Sequence, residues 1–412
     1  MIEKAVIRDA RYPIATGAGS DAVHRNPVYS YAVTSLLDDS GAVGQGLAFT
    51  VGAGNELVCQ AAEHLAANLA GRDIEELMAD FGGWLRAAAN NEHYRWLGPH
   101  KGVVHLALAS VANACWDLWA KRRGVPLWRL LLDLSPEQVV AALDLSYLED
   151  VLTTHDAIDM LRSAAPTREQ RLGVRAAGYP AYDTSVGWFG YDTEKLKENC
   201  RRSIDSGFRA LKLKVGSDCI DRDLDRLEAM RSIVGDRALC MVDANQQWTL
   251  PRALEFGCRA TPFDLFWIEE PTHPDDVLAH RTLAESLTPT KIAAGEHLPN
   301  RVVFKNYLQA NCLGICQVDA LRVAGVSEFL AVSLLAKKFR VPVVPHVGDM
   351  GQLHQHLVLF NHIAIGHDAL FLEHIPHLQE HFVNPCQIAD GVYRTPETPG
   401  ASCDLFDAVG VR

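Results

Sequence analysis

The sequence predicts an α/β chain, a (β/α)8-type TIM barrel preceded by a small α+β domain. Two observations carry this. Asp243, Glu269, Glu296, Asp319, His346 and Glu373 each close a short apolar run, at successive steps of 26, 27, 23, 27 and 27 residues. A step of that size accommodates one strand, one helix and two short loops, so the chain winds a parallel sheet with a helix between strands. The second observation is length. At 412 residues the chain exceeds a barrel of typically about 250, which leaves room for a second domain.

The elements follow in order. The first 50 residues are expected to be strands, with the DDSG turn at 38–41 joining two apolar runs as a hairpin. From Asn55 to about Phe81 apolar residues fall at helical spacings, and a second helix is expected from Val103 to Arg123, closed by Gly124 and Pro126. Residues 1–135 are thus assigned to an N-terminal α+β capping domain. The run VVAALDLSY, ending near Tyr147, is expected to be the first barrel strand. Roughly 65 residues then precede Lys212, which implies an insertion at about 150–195 ending in the aromatic stretch YPAYDTSVGWFGY. A loop rising there is placed to cover a pocket, so Tyr182, Thr184, Ser185 and Trp188 are candidate substrate contacts. The barrel is assigned to residues 136–375, and residues 376–412 are expected to pack back on the capping domain.

Composition narrows the function classes. A formal net charge of −12 argues against nucleic acid or an anionic membrane as partner. No apolar run approaches the ~18 residues a membrane helix needs, and the start, MIEKAVIRDARYP, lacks the apolar centre of a signal peptide. Ten cysteines without a CxxC pair are expected to be free thiols in a reducing, cytoplasmic setting.

The polar residues at the strand ends carry the chemistry. In a barrel these ends converge on one face, where active sites are built. Lys212 and Lys214, two apart in FRALKLKVG, point the same way from one strand. Asp243, Glu269 and Glu296, on successive strands, form an arc of hard oxygen ligands suited to Mg²⁺. A cation facing a lysine pair suggests removal of a proton from carbon beside a carboxylate, with Lys214 as base and Lys212 lowering its pKa or touching the carboxylate. His346 lies five strands from Lys214 in the ring of eight, and Asp319, one strand earlier, is placed to hold its imidazole as an acid/base partner. Glu373 is placed to hydrogen-bond the substrate carboxylate. No other cofactor is expected. The same groups would also serve a racemase or epimerase, the lysines a Schiff-base aldolase, and the fold alone a non-catalytic binding protein.

KLK at 212–214, DAN at 243–245, WIEEP at 267–271, GE at 295–296, Asp319, His346 and Glu373, with the preceding ANACWDLWAKRRGVPLW, resemble the enolase superfamily and its mandelate racemase subgroup. GSDA near residue 20, GLAFTVGAGNE, GYPAYDTSVGWFGY, WIEEPTHPDD and HLQEHFVNP are similar to the branch that dehydrates L-fuconate. The resemblance implies a Mg²⁺ enzyme, commonly a homo-oligomer, that converts a six-carbon sugar acid, L-fuconate or a close stereoisomer, to its 2-keto-3-deoxy product. It implies that Asp243, Glu269 and Glu296 hold the metal, that Lys214 removes the C2 proton and that His346, held by Asp319, protonates the departing 3-hydroxyl. Asn245 falls among the substrate contacts. The chain departs from the family pattern at VGDMGQLHQHL (347–357), where AGGVGLCELVQHL is usual, and at Gln247, where arginine is. Asp349 and His354 are therefore expected to alter polarity near the sugar hydroxyls.

Overall fold

Three long antiparallel strands, β1 (Ile2–Pro13), β2 (Val28–Asp38) and β3 (Val43–Thr50), pair in that order in the computed structural model, which describes residues 1–406. Asp38 closes the expected turn, its carboxylate accepting the N–H groups of Ser40 and Ala42, both at 3.0 Å. The 21-residue helix Gly102–Arg122 lies against β3, and the approach is so close that a Cβ at Gly46 would stand 2.1 Å from the Ser110 carbonyl. By length and composition this helix is apolar enough to cross a membrane, contrary to the expectation that no run approaches that length, but 83% of its apolar stretch is buried. It is a core helix between the sheet and the barrel.

The first barrel strand is not VVAALDLSY. Ser135 and Gln138 form a reciprocal capping box that starts the helix Pro136–Ala141, so Val139 and Val140 are helical, and the chain turns through Tyr147. Further helices lead to Gly178, and the aromatic stretch expected to end an insertion is itself the first stave, β4 (Tyr179–Gly187). The expected insertion at about 150–195 is therefore a helical connection followed by a barrel strand.

The parallel staves continue through β5 (Ala210–Lys214), β6 (Leu239–Asp243), β7 (Leu265–Glu269), β8 (Lys291–Ala294) and β9 (Ile315–Cys316). A bridge from Cys316 to Val343 adds the segment leading to His346, and β10 (Leu372–His374) pairs parallel with β4. Register is set so that Lys214, Asp243 and Glu269 lie side by side on adjacent strands. After β10, the hairpin of β11 (Ile388–Ala389) and β12 (Val392–Tyr393) adds antiparallel to β4, and Asp404 reaches Lys121 of the long helix at 2.6 Å. The end of the segment expected to return to the capping domain, residues 407–412, lies outside the described residues.

Buried polar contacts tie capping domain to barrel. Arg301 bonds Asp144 at 2.6 Å and Glu328 at 3.0 Å, and Glu328 faces His105 of the long helix at 2.7 Å. Burial raises the Glu328 carboxyl, but His105 and Arg301 more than offset it and hold it well below its ordinary value. Asn113 donates both to Leu47 in β3 and to Ala320 beyond β9.

Candidate active site

At the carboxyl ends of the staves a cavity of about 230 Å³ is lined from both domains. Lys214, Asn245, Glu296, His346, Glu373 and Thr184 reach it from the barrel. Asp21, His24, Tyr29 and Phe49 reach it from the capping domain. The last four, with Gln246, His297 and Arg322, were not singled out from the sequence. Asp21 and His24 do lie in or beside the GSDA motif, but nothing local told that this loop crosses to the barrel.

Beneath the cavity the charges interlock. Lys214 Nζ donates to Asp243 Oδ2 at 2.5 Å and to Asn245 Oδ1 at 3.1 Å. Lys212 is 1% exposed and does not line the cavity; its Nζ lies 2.7 Å from Glu269 and 2.8 Å from Glu373. It neutralises carboxylates under the site and makes no contact with the open space. Burial lowers the Lys214 ammonium pKa and Lys212 lowers it further, as expected, but Asp243, with Asp21 and Glu296 adding, outweighs both, and the net shift is upward. Lys214 is therefore protonated as it stands.

The predicted ligands stand at the ends of successive strands, but among the described residues their oxygens do not all lie within 4.8 Å of one another. Glu269 accepts from Lys212, from Trp267 Nε1 at 3.1 Å and from Gln317 Nε2 at 2.6 Å. Glu296 Oε2 faces His346 Nε2 at 2.7 Å. Among the described residues the ligating atoms found within 4.8 Å of one another are those of Glu270, Glu296 and His297. Glu270 turns out of the barrel interior with φ 42°, and His297 Nδ1 lies 2.9 Å away. The donor set nevertheless fits a divalent cation. Burial, with Asp243 and Glu373 adding, pushes the Glu269 carboxyl up to about 8 even beside Lys212. Burial is the larger part of that shift, and the crowding of Asp243 and Glu373 adds negative charge that a cation would offset. The ammonium groups of Lys212 and Lys214 stand in on two of the three carboxylates.

His346 Nδ1 lies 2.6 Å from Asp319 Oδ2, which fixes the ring, while its Nε2 is held at the cavity against Glu296 Oε2 at 2.7 Å. Thr184 donates to Glu373 Oε1 at 2.5 Å, while Glu373 Oε2 is buried without a partner. Trp188 lines the cavity with Lys214 Nζ 5.7 Å from its ring centre.

Two expectations are corrected. Tyr182 is fully buried among Trp267 and Phe371, one layer below the cavity, and contacts no open space. Asp349 and His354 are both 0% exposed and pair with each other behind Asp319, so they do not meet a substrate's hydroxyls.

Comparison with known proteins agrees with this architecture. A family model described as mandelate racemase / muconate lactonizing enzyme, N-terminal domain, matches residues 2–131, and one described as enolase C-terminal domain-like matches residues 195–409. L-galactonate dehydratase of Hypocrea jecorina is 41% identical over 97% of this chain and 90% of its own. The crystal structure of human mitochondrial enolase superfamily member 1 superposes with a TM-score of 0.95, at 41% identity, over 98% of this chain and 94% of that one. L-talarate/galactarate dehydratase from Salmonella typhimurium LT2, solved with Mg and L-lyxarohydroxamate, gives 0.79 at 26% identity, over 98% and 91%. The chain belongs to the enolase superfamily, in its mandelate racemase subgroup.

Proposed function

We propose that this enolase-superfamily protein is a Mg²⁺-dependent sugar-acid dehydratase, acting on a six-carbon monoacid of the L-galacto configuration. The observation that carries the reading is the cavity with Lys214 on one wall and an Asp319-backed His346 on another. Relatives named as sugar-acid dehydratases, and a neighbour solved with Mg, support it. L-Fuconate, favoured by sequence motifs, is 6-deoxy-L-galactonate, so it and L-galactonate differ only at C6.

Asp243, Glu269 and Glu296 would hold the ion, which when bound supplies the Lewis acidity that makes a carbon beside a carboxylate acidic. Lys214, once neutral, takes the C2 proton; Asn245 Oδ1 and the Trp188 ring hold its amine in place. Lys212 offsets Glu269 and Glu373 from below. Glu373, braced by Thr184, would donate to the substrate carboxylate only once it carries a proton. His346 delivers a proton to the 3-hydroxyl, which leaves as water, and the resulting enol becomes the 2-keto-3-deoxy acid.

The test is incubation of the Mg²⁺-loaded protein with L-fuconate, L-galactonate and diacids, followed by semicarbazone absorbance. An EDTA-sensitive product from either monoacid is expected. Exchange of the C2 proton in D₂O without product would move the reading to a racemase, and the absence of both would overturn it.

A further inference from the structure

We propose that His354, fixed by Asp349, is a positioning residue that holds Asp319 and through it His346, so that His346, Asp319, His354 and Asp349 work as one buried relay. The inference rests on the dehydratase reading for its consequence, but its geometry stands independently.

The relay is continuous. His346 Nδ1 meets Asp319 Oδ2 at 2.6 Å, Asp319 Oδ1 lies 3.1 Å from His354 Nε2, and His354 Nδ1 meets Asp349 Oδ1 at 2.7 Å. Asp319, His354 and Asp349 are all 0% exposed, so water does not complete their hydrogen bonding. Asp349 is itself anchored to the start of the helix Gln352–Phe360, accepting from the N–H groups of Leu353 and, at 3.2 Å, His354. Gly351 N donates to its other oxygen at 3.1 Å. A residue that caps a helix and also grips an imidazole has little freedom.

Asp319 needs such a brace because it has two tasks. Its Oδ2 accepts from His346 and from Gly348 N at 3.2 Å, while its Oδ1 accepts from Leu321 N at 2.7 Å and faces His354. The Ala320 N–H also points at His354 Nε2, at 2.9 Å. The two neighbours of Nε2 call for opposite protonation: a neutral ring accepts from Ala320, a protonated ring donates to Asp319. Burial lowers the His354 pKa, but Asp349 and then Asp319 outweigh it and hold it up at about 9, which favours the ring that donates to Asp319. Without His354 the Asp319 carboxylate would keep only backbone donors on Oδ1, and rotation about its last side-chain bond would tilt the His346 ring.

The test pairs His354→Leu, which removes both ring nitrogens, with His354→Gln, whose amide N–H extends toward the same carboxylate. Three readouts are taken on the Mg²⁺-loaded protein: dehydration kinetics, C2 proton exchange in D₂O, and the low-field ¹H resonance of His346 Nδ1–H, identified by its loss in His346→Asn. For His354→Leu the expected result is a fall in kcat of about 10- to 100-fold with little change in KM. C2 exchange, which belongs to Lys214, stays within about twofold, the resonance moves, and His354→Gln restores most of both. An unchanged kcat with an unmoved resonance overturns the relay. Equal loss of exchange and dehydration in both variants also overturns it, because His354 would then support the whole site. Wild-type protein without product or exchange would defeat the dehydratase reading, while the resonance would still decide whether the relay exists.

Discussion

Two layers inside the same barrel differ in almost everything except their direction. Tyr182, Ala210, Met241, Trp267, Ala293, Ile315 and Val344 form an apolar layer, with Phe371 packed against it. Two positions further along each strand stand Thr184, Lys212, Asp243, Glu269, Gly295, Gln317, His346 and Glu373. Strand alternation sends both sets inward, so orientation alone does not separate core from site. Depth does. The lower layer gains by leaving water, whereas the upper one is almost as dry and must satisfy its charges internally. Gly295 shows how tight that fit is, since a Cβ there would lie 2.2 Å from the Gln317 backbone. The space is filled by Gln317 itself, whose amide serves Glu269.

If the layers divide labour in this way, substitutions should separate chemistry from stability. Lys214→Met, two residues beyond the polar layer at the open end of its strand, should lower both C2 exchange and dehydration by about 10²- to 10⁴-fold, measured by NMR and product assay. Retention of exchange would assign the base elsewhere. Met241→Ala, on the strand that carries Asp243, should cost about 2–5 kcal/mol in urea denaturation while the turnover of folded protein stays near wild type. A large loss of turnover there would mean the apolar layer sets the geometry above it. Thr184→Val deletes a hydrogen bond to a buried carboxylate and should cost about 1.5–3 kcal/mol, read as a fall in kcat/KM if Glu373 shifts and as a lower denaturation midpoint if it does not. Tyr182→Phe should be the mildest. Its hydroxyl is buried without a partner, so its removal should leave activity unchanged and stability equal or slightly higher. A substantial loss of activity would restore Tyr182 to the site.

The same contrast explains what was legible in the sequence. The polar ends of β6, β7 and β8, and His346 and Glu373 after them, stood out because each interrupts an apolar run at a regular interval. The first stave escaped because a short apolar run does not distinguish strand from helix. VVAALDLSY looked like a strand, although Ser135, Pro136 and Gln138 already spelled a helix start. The true first strand opens with Tyr179 and Pro180 beside a C-terminal hairpin, a partner no local pattern announces. Tyr182 was misplaced because alternation gives its face and not its depth. Asp349 and His354 were read as substrate-facing because their burial depends on how the helix after His346 seats against Asp319. The lysine pair was visible, but its division into one residue at the cavity and one beneath it required the packed barrel.

The cavity draws its walls from two domains, and this has a consequence for how the protein can change. The proposed proton chemistry lies on barrel staves whose buried charges pair with one another, so that replacing one leaves its partner unpaired. Asp21, His24, Tyr29 and Phe49 belong to another domain, held over the mouth through contacts such as His105 with Glu328 and Asn113 with the Ala320 carbonyl. Substitutions in that overhang can therefore reshape the mouth of the cavity from outside the barrel, with Asp21, which acts electrostatically on Lys214, as a place where the two halves speak to each other.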